Sequence, residues 1–208
     1  MAVITNFGVP VSGGTDGSTL MPKLQYRFRV TFTGLGGSTK TAAAPLVTRN
    51  VVSVGRPSLE HDDVTVDTYN SKIRLLGKHT WQDVQLVLRD DLNSDVIQAL
   101  GAQLNTQVNH ATQSSARSGK NYKFGMKIEM LDGSYDAGDA NVIDSWELVG
   151  CFIPSIQYGE LNYSSSEMVQ VTCTIRYDNA SNTVGGEDAL STVDITATGR
   201  GGDNAATA

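Results

Sequence analysis

The chain has 208 residues, 39% of them hydrophobic and 18% charged, with a net charge of −6. That is enough apolar material for one substantial core and too much for a disordered chain. The acidic balance excludes a sequence-independent nucleic-acid binder, which needs basic surface to release counterions.

Residues 1–22 are rich in Gly, Ser and Thr and read as an N-terminal arm without its own core. They lack the basic and apolar regions of a signal peptide, and no stretch of the chain approaches the ~20 apolar residues of a membrane helix. The expectation is a chain made in a cytoplasm, without membrane anchoring. Tyr26, Phe28, Val30 and Phe32 then alternate with Arg27, Arg29, Thr31 and Thr33, the period-two signal of a half-buried strand. The following GLGGSTKT, residues 34–41, approaches the phosphate-binding pattern G-x-x-x-x-G-K-[ST], with Thr39 where the glycine before the lysine belongs. A phosphate loop must open a helix, whose N-terminus holds the anion. Here TAAAPLVTRNVVSV follows, with Pro45 interrupting the next turn, so Gly34–Thr41 reads as a strand-to-strand loop.

Weaker strand patterns cover Val47–Val54, Asp63–Tyr69, Trp81–Arg89 and Asp144–Phe152. From Leu92 the apolar residues Val96, Ile97, Leu100, Leu104 and Val108 follow helical spacing, with Asn93 or Ser94 as N-cap, which predicts one helix over about 92–108. A polar loop follows it. Period two returns at Tyr122–Met130 and Val169–Tyr177. Residues 179–208 read as an acidic extension with one strand at most, near Ser191–Thr198. Asp178, Glu187, Asp188, Asp194 and Asp203 stand against Arg200 alone, leaving the body close to neutral.

No set of residues makes a catalytic constellation, and no cofactor is implied. His61, His79 and His110 share no metal-ligand spacing. Asp132, Asp136, Asp139 and Asp144 lie in LDGSYDAGDANVID, whose spacing misses the calcium-loop pattern, so a polar hairpin loop is expected. Ser164, Ser165 and Ser166 lack nucleophile-elbow glycines. Cys151 and Cys173 read as small buried apolar residues. Trp81 and Trp146 read as core or interface aromatics, with sugar platforms of a β-sandwich carbohydrate-binding module as the alternative.

Two stretches carry a recognisable order of elements. NVVSVGRPSLEHDDVTVDTYNSKIRLLGKHTWQDVQLVLRDDLNSDVIQAL runs strand, turn, polar excursion, Trp strand and helix. DSWELVGCFIPSIQYGELNYSSSEMVQVTCTIRYDN runs Trp strand, Gly150 and Pro154, Leu-x-Tyr, Ser-rich turn and an alternating strand ending Arg-Tyr-Asp. Together they resemble the tail tube proteins of contractile-tailed bacteriophages and, more loosely, the Hcp proteins of type VI secretion.

The resemblance implies a mainly β fold: an antiparallel β-barrel or sandwich over residues 23–178 with one flanking helix and a long hairpin at 55–76. It implies six subunits per ring, and rings stacked into a hollow tube inside a sheath. The partners implied are the chain itself, a sheath protein, and baseplate, initiator and terminator proteins, with DNA passing through transiently and without sequence preference. The place implied is a virion tail assembled in the host bacterial cytoplasm. Edge strands of an open sheet invite pairing, and a ring closed by rotation uses them. Within the hairpin, the resemblance assigns Arg56, Glu60, Asp62, Asp63 and Lys72 to contact with the adjacent ring. A lumen that conducts DNA must not hold phosphate, so neutral or acidic Thr65, Asp67, Gln170, Thr172 and Thr174 are the lining candidates, and Arg176 is expected to pair with a carboxylate. A tube initiator, a baseplate protein or an Hcp-like secreted ring fits the same pattern.

Overall fold

The computed structural model describes residues 22–36, 47–136, 139–184 and 187–190. The N-terminal arm up to residue 21, most of the Gly34–Thr41 loop and the strand expected near Ser191–Thr198 lie outside them. In chain order the elements are β1 (Phe28–Thr33), β2 (Val51–Val54), β3 (Leu59–Asp67), β4 (Lys72–Trp81), β5 (Val84–Arg89), helix α1 (Asp95–Gln107), β6 (Val108–Asn109), β7 (Ser114–Ser115), β8 (Phe124–Asp136), β9 (Asp139–Gln157), β10 (Gln170–Arg176), β11 (Asn179–Val184) and β12 (Glu187–Leu190).

Two antiparallel sheets share one strand. β1, β8, the first half of β9, β11 and β12 form one sheet; the second half of β9 continues into the other with β10, β5 and β2. The inward residues of both make a single core. Val30 and Phe32 meet Phe124, Met126 and Ile128 on one side, with Leu86, Leu88, Val171, Cys173 and Ile175 on the other. The alternation read in the sequence is therefore the alternation between this core and the two outer faces.

β9 changes sheets at Gly150, which sits at φ +72°. There the pairing slips: β8 shifts register between Phe124 and Met126, and β10 between Thr174 and Arg176. A Cβ at Gly150 would lie 2.8 Å from Asp178 Cγ, whose carboxylate Lys123 Nζ reaches at 2.5 Å. Only glycine satisfies both the backbone angle and this close approach.

Helix α1 buries Val96, Ala99, Leu100 and Gln103. Two glutamines fix its position. Gln107 donates to Ile153 O at 3.0 Å and accepts from Ile153 N–H at 2.9 Å, while Gln103 accepts from Gly36 N–H and donates to Tyr122 O. Buried polar backbone is thus satisfied by side-chain amides where no strand can reach it.

The structure corrects several boundaries. Val47–Asn50 is a helical turn, not strand: Asn50 N–H donates to Val47 O at 3.0 Å, which plugs Val47 into the core. The Trp81–Arg89 pattern splits, with Trp81 ending β4 and Val84 starting β5. Neither Asn93 nor Ser94 caps α1 with its side chain. Asp91 Oδ1 accepts from Asp95 N–H at 2.9 Å, and Leu92, read as the first residue of the apolar stripe, is fully exposed. Residues 132–136 and 139–144, expected as part of a hairpin loop, are strand: β8 and β9 pair through them to Asp136 and Asp139. β11 pairs with β9, so the main sheet runs on past Asp178.

Gly150→Ala places a side chain in the left-handed region and against Asp178, which costs about 2 kcal/mol of stability. Urea unfolding of the two proteins side by side checks it; an unchanged midpoint would show that the corner relaxes without strain.

Candidate functional site: assembly surfaces

β3 and β4 leave the body as a two-stranded ribbon, pairing with each other and with no other strand among the described residues. The ribbon continues the β2–β5 pair: Gly55 N–H donates to Gln85 O at 2.8 Å, and Gln82 N–H to Ser58 O at 3.0 Å. Nine residues at ~3.3 Å each carry it about 30 Å beyond the sheet. Residues 59–76 are all exposed.

The register sorts the ribbon into two faces. Val64 opposes Leu75 and Val66 opposes Ile73, so four aliphatic side chains share one face, each close to half exposed. Asp63, Thr65 and Asp67 share the other with Lys72 and Arg74, and here charges pair inside the ribbon: Lys72 with Asp67 at 3.4 Å, Arg74 with Asp63 at 3.5 Å. A bulge between His61 and Asp63 resets the faces towards the base, where Asp62 packs against Gly77. At the tip, Thr68 N–H and Oγ1 both donate to Ser71 O, and Tyr69 stands out 99% exposed.

The base is tied down through Asp144, a buried carboxylate of β9. It accepts from Arg56 at 2.7 Å, from Lys23 at 3.2 Å and from Asn182 Nδ2 at 2.6 Å. Trp81 adds an apolar anchor, packed at a tilt against Tyr177 at 5.7 Å with its indole N–H donating to Asn179. Of the residues assigned to ring contact, Arg56 is thus anchored at the base and Glu60 accepts from Gln82 Nε2 at 3.0 Å. Asp63 and Lys72 are engaged within the ribbon.

The lining candidates divide. Gln170, Thr172 and Thr174 lie on the outer face of the β9-β10-β5-β2 sheet, beside Gln85, Val87, Ser155 and Gln157, with exposed Arg89 opposite Gln170. Gln85 Nε2 donates to Thr174 at 3.3 Å. Thr65 and Asp67 lie out on the ribbon. Arg176, at the end of β10, makes a two-pronged contact with Asp83 at 2.8 and 2.7 Å, as expected. The hydrogen bond and charge of Arg176 hold the Asp83 carboxyl below its ordinary value, against the smaller pull of burial.

The outer face of the other sheet is charged. Arg29, Lys127 and Glu129 lie together there, with Glu129 nearly buried between Arg29 at 2.7 Å and Lys127 at 2.9 Å. Burial alone would push the Glu129 carboxyl up, but the hydrogen bonds and charges of Arg29 and Lys127 together overcome it and hold it below the ordinary glutamate value.

Elsewhere the chemistry is quiet. Burial pushes the free Cys151 and Cys173 thiols up to about 12. Trp81 and Trp146 are both partly buried and pack against the core. Asp132 is held by Ser134 and Asn141 of its own hairpin. Among the described residues no group of three or more His, Cys, Asp or Glu is placed to hold a metal, and no helix is long and apolar enough to cross a membrane.

No protein-family profile matches the chain, and no curated protein matches it in sequence. Solved structures do match in fold. A chain of the anti-feeding prophage cap (the AFP tube terminating cap) superposes with a TM-score of 0.60 at 18% identity, over 84% of this chain and 99% of that one. A chain of the PVC extracellular contractile injection system, from its sheath-tube complex in the extended state, gives 0.57 at 16% identity over 78% and 92%. A chain of the AFP baseplate gives 0.52 at 14% over 79% and 97%. The fold is therefore the tail-tube one that the resemblance implied.

A carboxylate with a depressed folded-state pKa stabilises above its unfolded value and loses that contribution as pH falls through the folded one. Glu129→Gln should accordingly lower stability more at about pH 6 than at about pH 3.5, below the ordinary glutamate value, where part of that contribution is already lost. Urea midpoints at the two pH values measure the difference, and an equal loss at both would show that Glu129 is not the acid-sensitive group.

Proposed function

We propose that this chain is a structural subunit of the inner tube of a contractile phage-like tail, assembling into stacked rings whose lumen conducts DNA. The observation that carries the reading is the ribbon: four aliphatic side chains on one face of a long projection, covered by nothing among the described residues. A two-stranded ribbon on its own is marginal in water, so an uncovered apolar face of this kind marks an interaction surface. The fold shared with chains from injection-system tube, cap and baseplate assemblies gives that surface its context. No group on the surface calls for an enzymatic role.

Rings close through the open edges. Among the described residues β1 pairs only with β8, β2 only with β5 and β12 only with β11, so each subunit offers open strand edges. An edge-to-edge contact of this heterologous kind closes into a ring, six-fold in this reading. The face around Gln170, Thr172 and Thr174, with exposed Arg89 at its Gln170 end, then lines the lumen, and Asp83 neutralises Arg176 beside it. The charged face around Glu129 turns outward to a sheath protein.

Magnitudes favour the aliphatic face as the stacking element. Burying the remaining half of four such side chains contributes about 1 kcal/mol each. Exposed ion pairs such as Lys72–Asp67 contribute between about 0 and 1 kcal/mol and are already made within the ribbon. Arg56, Glu60, Asp62, Asp63 and Lys72 accordingly set the register and position of the ribbon at the joint. A second reading, a protein capping or initiating such a tube, rests on the comparable similarity to the cap and baseplate chains; it differs in that the protein alone would not form long stacks.

The test is negative-stain electron microscopy of the purified full chain over a concentration series, with a variant in which Val64, Val66, Ile73 and Leu75 are all Thr. Tubes from the parent, and folded rings without tubes from the variant, are expected. Tubes of normal length from the variant would remove the aliphatic face from the joint, and single rings from the parent at every concentration would favour the cap or initiator.

A further inference from the structure

The histidines share no metal-ligand spacing along the chain, but strand register brings together what spacing separates. In the ribbon, His61 of β3 lies directly opposite His79 of β4. Side chains opposed in this way start from Cβ atoms about 5 Å apart on one face. The two imidazole rings stand with centres 6.2 Å apart, tilted by 58°. Both residues are exposed, and neither ring takes a hydrogen bond or an ion pair from the described residues.

That separation suits a single shared metal ion. A zinc-type ion sits about 2.1 Å from a ligating imidazole nitrogen, and so about 3.2 Å from the ring centre. Two rings on one ion then have centres between about 5.3 Å apart at a tetrahedral angle and about 6.4 Å apart when opposed. The observed 6.2 Å falls inside this window. Converging on the ion takes rotation of two exposed side chains and no movement of the backbone.

The position is held from below. His79 packs edge-on against Trp81 at 6.3 Å, and Trp81 packs against Tyr177 at 5.7 Å, so a run of rings ties the pair to the core. A site whose ligands are ordered beforehand loses less on binding. The nearby charges lean towards a cation. Glu60, Asp62 and Asp63 flank His61 in β3; Arg74 takes Asp63 at 3.5 Å, which leaves two carboxylates against Lys78 beside His79. Imidazole donors select zinc, nickel and copper over the hard ions calcium and magnesium. The pair also sits at a weak point, because the ladder between the strands slips between His61 and Asp63.

We propose that His61 and His79 form a two-histidine site for a divalent transition-metal ion of the zinc kind, which clips β3 to β4 beside the bulge. Among the described residues no third His, Cys, Asp or Glu completes a group able to hold a metal, so water takes the remaining positions and the ion exchanges freely. The proposal rests on the ribbon register and is independent of the tube reading.

The test is calorimetric titration of Zn²⁺ into the full chain, purified without a histidine tag, and into His61→Gln, His79→Gln and His110→Gln. One ion per chain is expected for the parent and for His110→Gln. Either ribbon variant should bind about a hundredfold more weakly, because the second imidazole of a chelate acts at high effective concentration. Absence of saturable binding to the parent would overturn the site, and so would undiminished binding to either ribbon variant. Ni²⁺ supplies a second reading on the parent alone, should a variant fail to fold. Bound beside His79, it should quench the emission of Trp81; saturable Ni²⁺ binding with tryptophan emission unchanged would place the ion elsewhere and overturn the proposal.

Discussion

The rest of the structure hangs on one strand that must belong to two sheets. β9 spans nineteen residues, and only because Gly150 can adopt a positive φ does its first half pair with β8 and β11 while its second half pairs with β10. The corner sets the angle between the sheets and so the shape of the single core between them. It also brings Asp178, Lys123 and Tyr177 to the same place, because the turn from β10 to β11 must follow the bend. Asp144, six residues before the corner, then holds both the ribbon base and the segment leading into β1. A partly solvated Arg or Lys gains little from an exposed carboxylate, but a buried one left without partners costs several kcal/mol, so this contact is enforced mainly by what its loss would leave behind. The body and its projection are joined at a point where the fold cannot easily let go.

The two outer faces show why net charge is a poor guide to what a surface does. One carries Arg29, Lys127 and Glu129 in close pairs; the other carries mainly Gln and Thr side chains, with Arg89 at one end and Arg176 matched by Asp83 at the other. Both are nearly neutral in sum. They differ in field: paired charges leave strong local dipoles that select an oriented partner, whereas amides and hydroxyls offer weak contacts to any polymer that slides past. A passage for polyanions needs the second kind, since every unpaired cation would hold a phosphate.

Much of this was legible from spacing, and the parts that were not have a common cause. β1, β8 and β10 declare themselves because one face of each meets a core and the other meets water, which is the condition for period two. β3 and β4 meet no core on either face, so their alternation is between aliphatic and charged residues that all look solvated, and the bulge at His61 breaks the phase midway. The charges of the ribbon drew attention as contact residues, while Val64, Val66, Ile73 and Leu75, a clear stripe once the register is known, did not. Register is a long-range property that the local sequence does not carry. The same holds for the lining set, in which Thr65 shares a residue type with the β10 face but neither it nor Asp67 shares its place. Asp144 sits in a run of Gly, Asp and Asn that reads as a turn, and only the pairing of β8 with β9 reveals it as strand and buried. The cap of α1 was missed by a few residues because Asp91 reaches over a left-handed Ser94, a geometry that no cap pattern encodes.

An axial joint of this kind is weak singly and strong in number. In the tube proposed above, burying four half-exposed aliphatic side chains would give at most about 4 kcal/mol, which corresponds to a dissociation constant near 1 mM, too weak to stack free subunits at ordinary concentrations. Once a ring is closed, all of its joints engage together, and each after the first forms at the high effective concentration set by the ring itself. Ring closure is therefore a precondition for elongation, not a parallel event. On this proposal, extended backbone edges, which gain many hydrogen bonds in one register, would be suited to closing the ring, and a single projecting ribbon per subunit to joining closed rings into a tube.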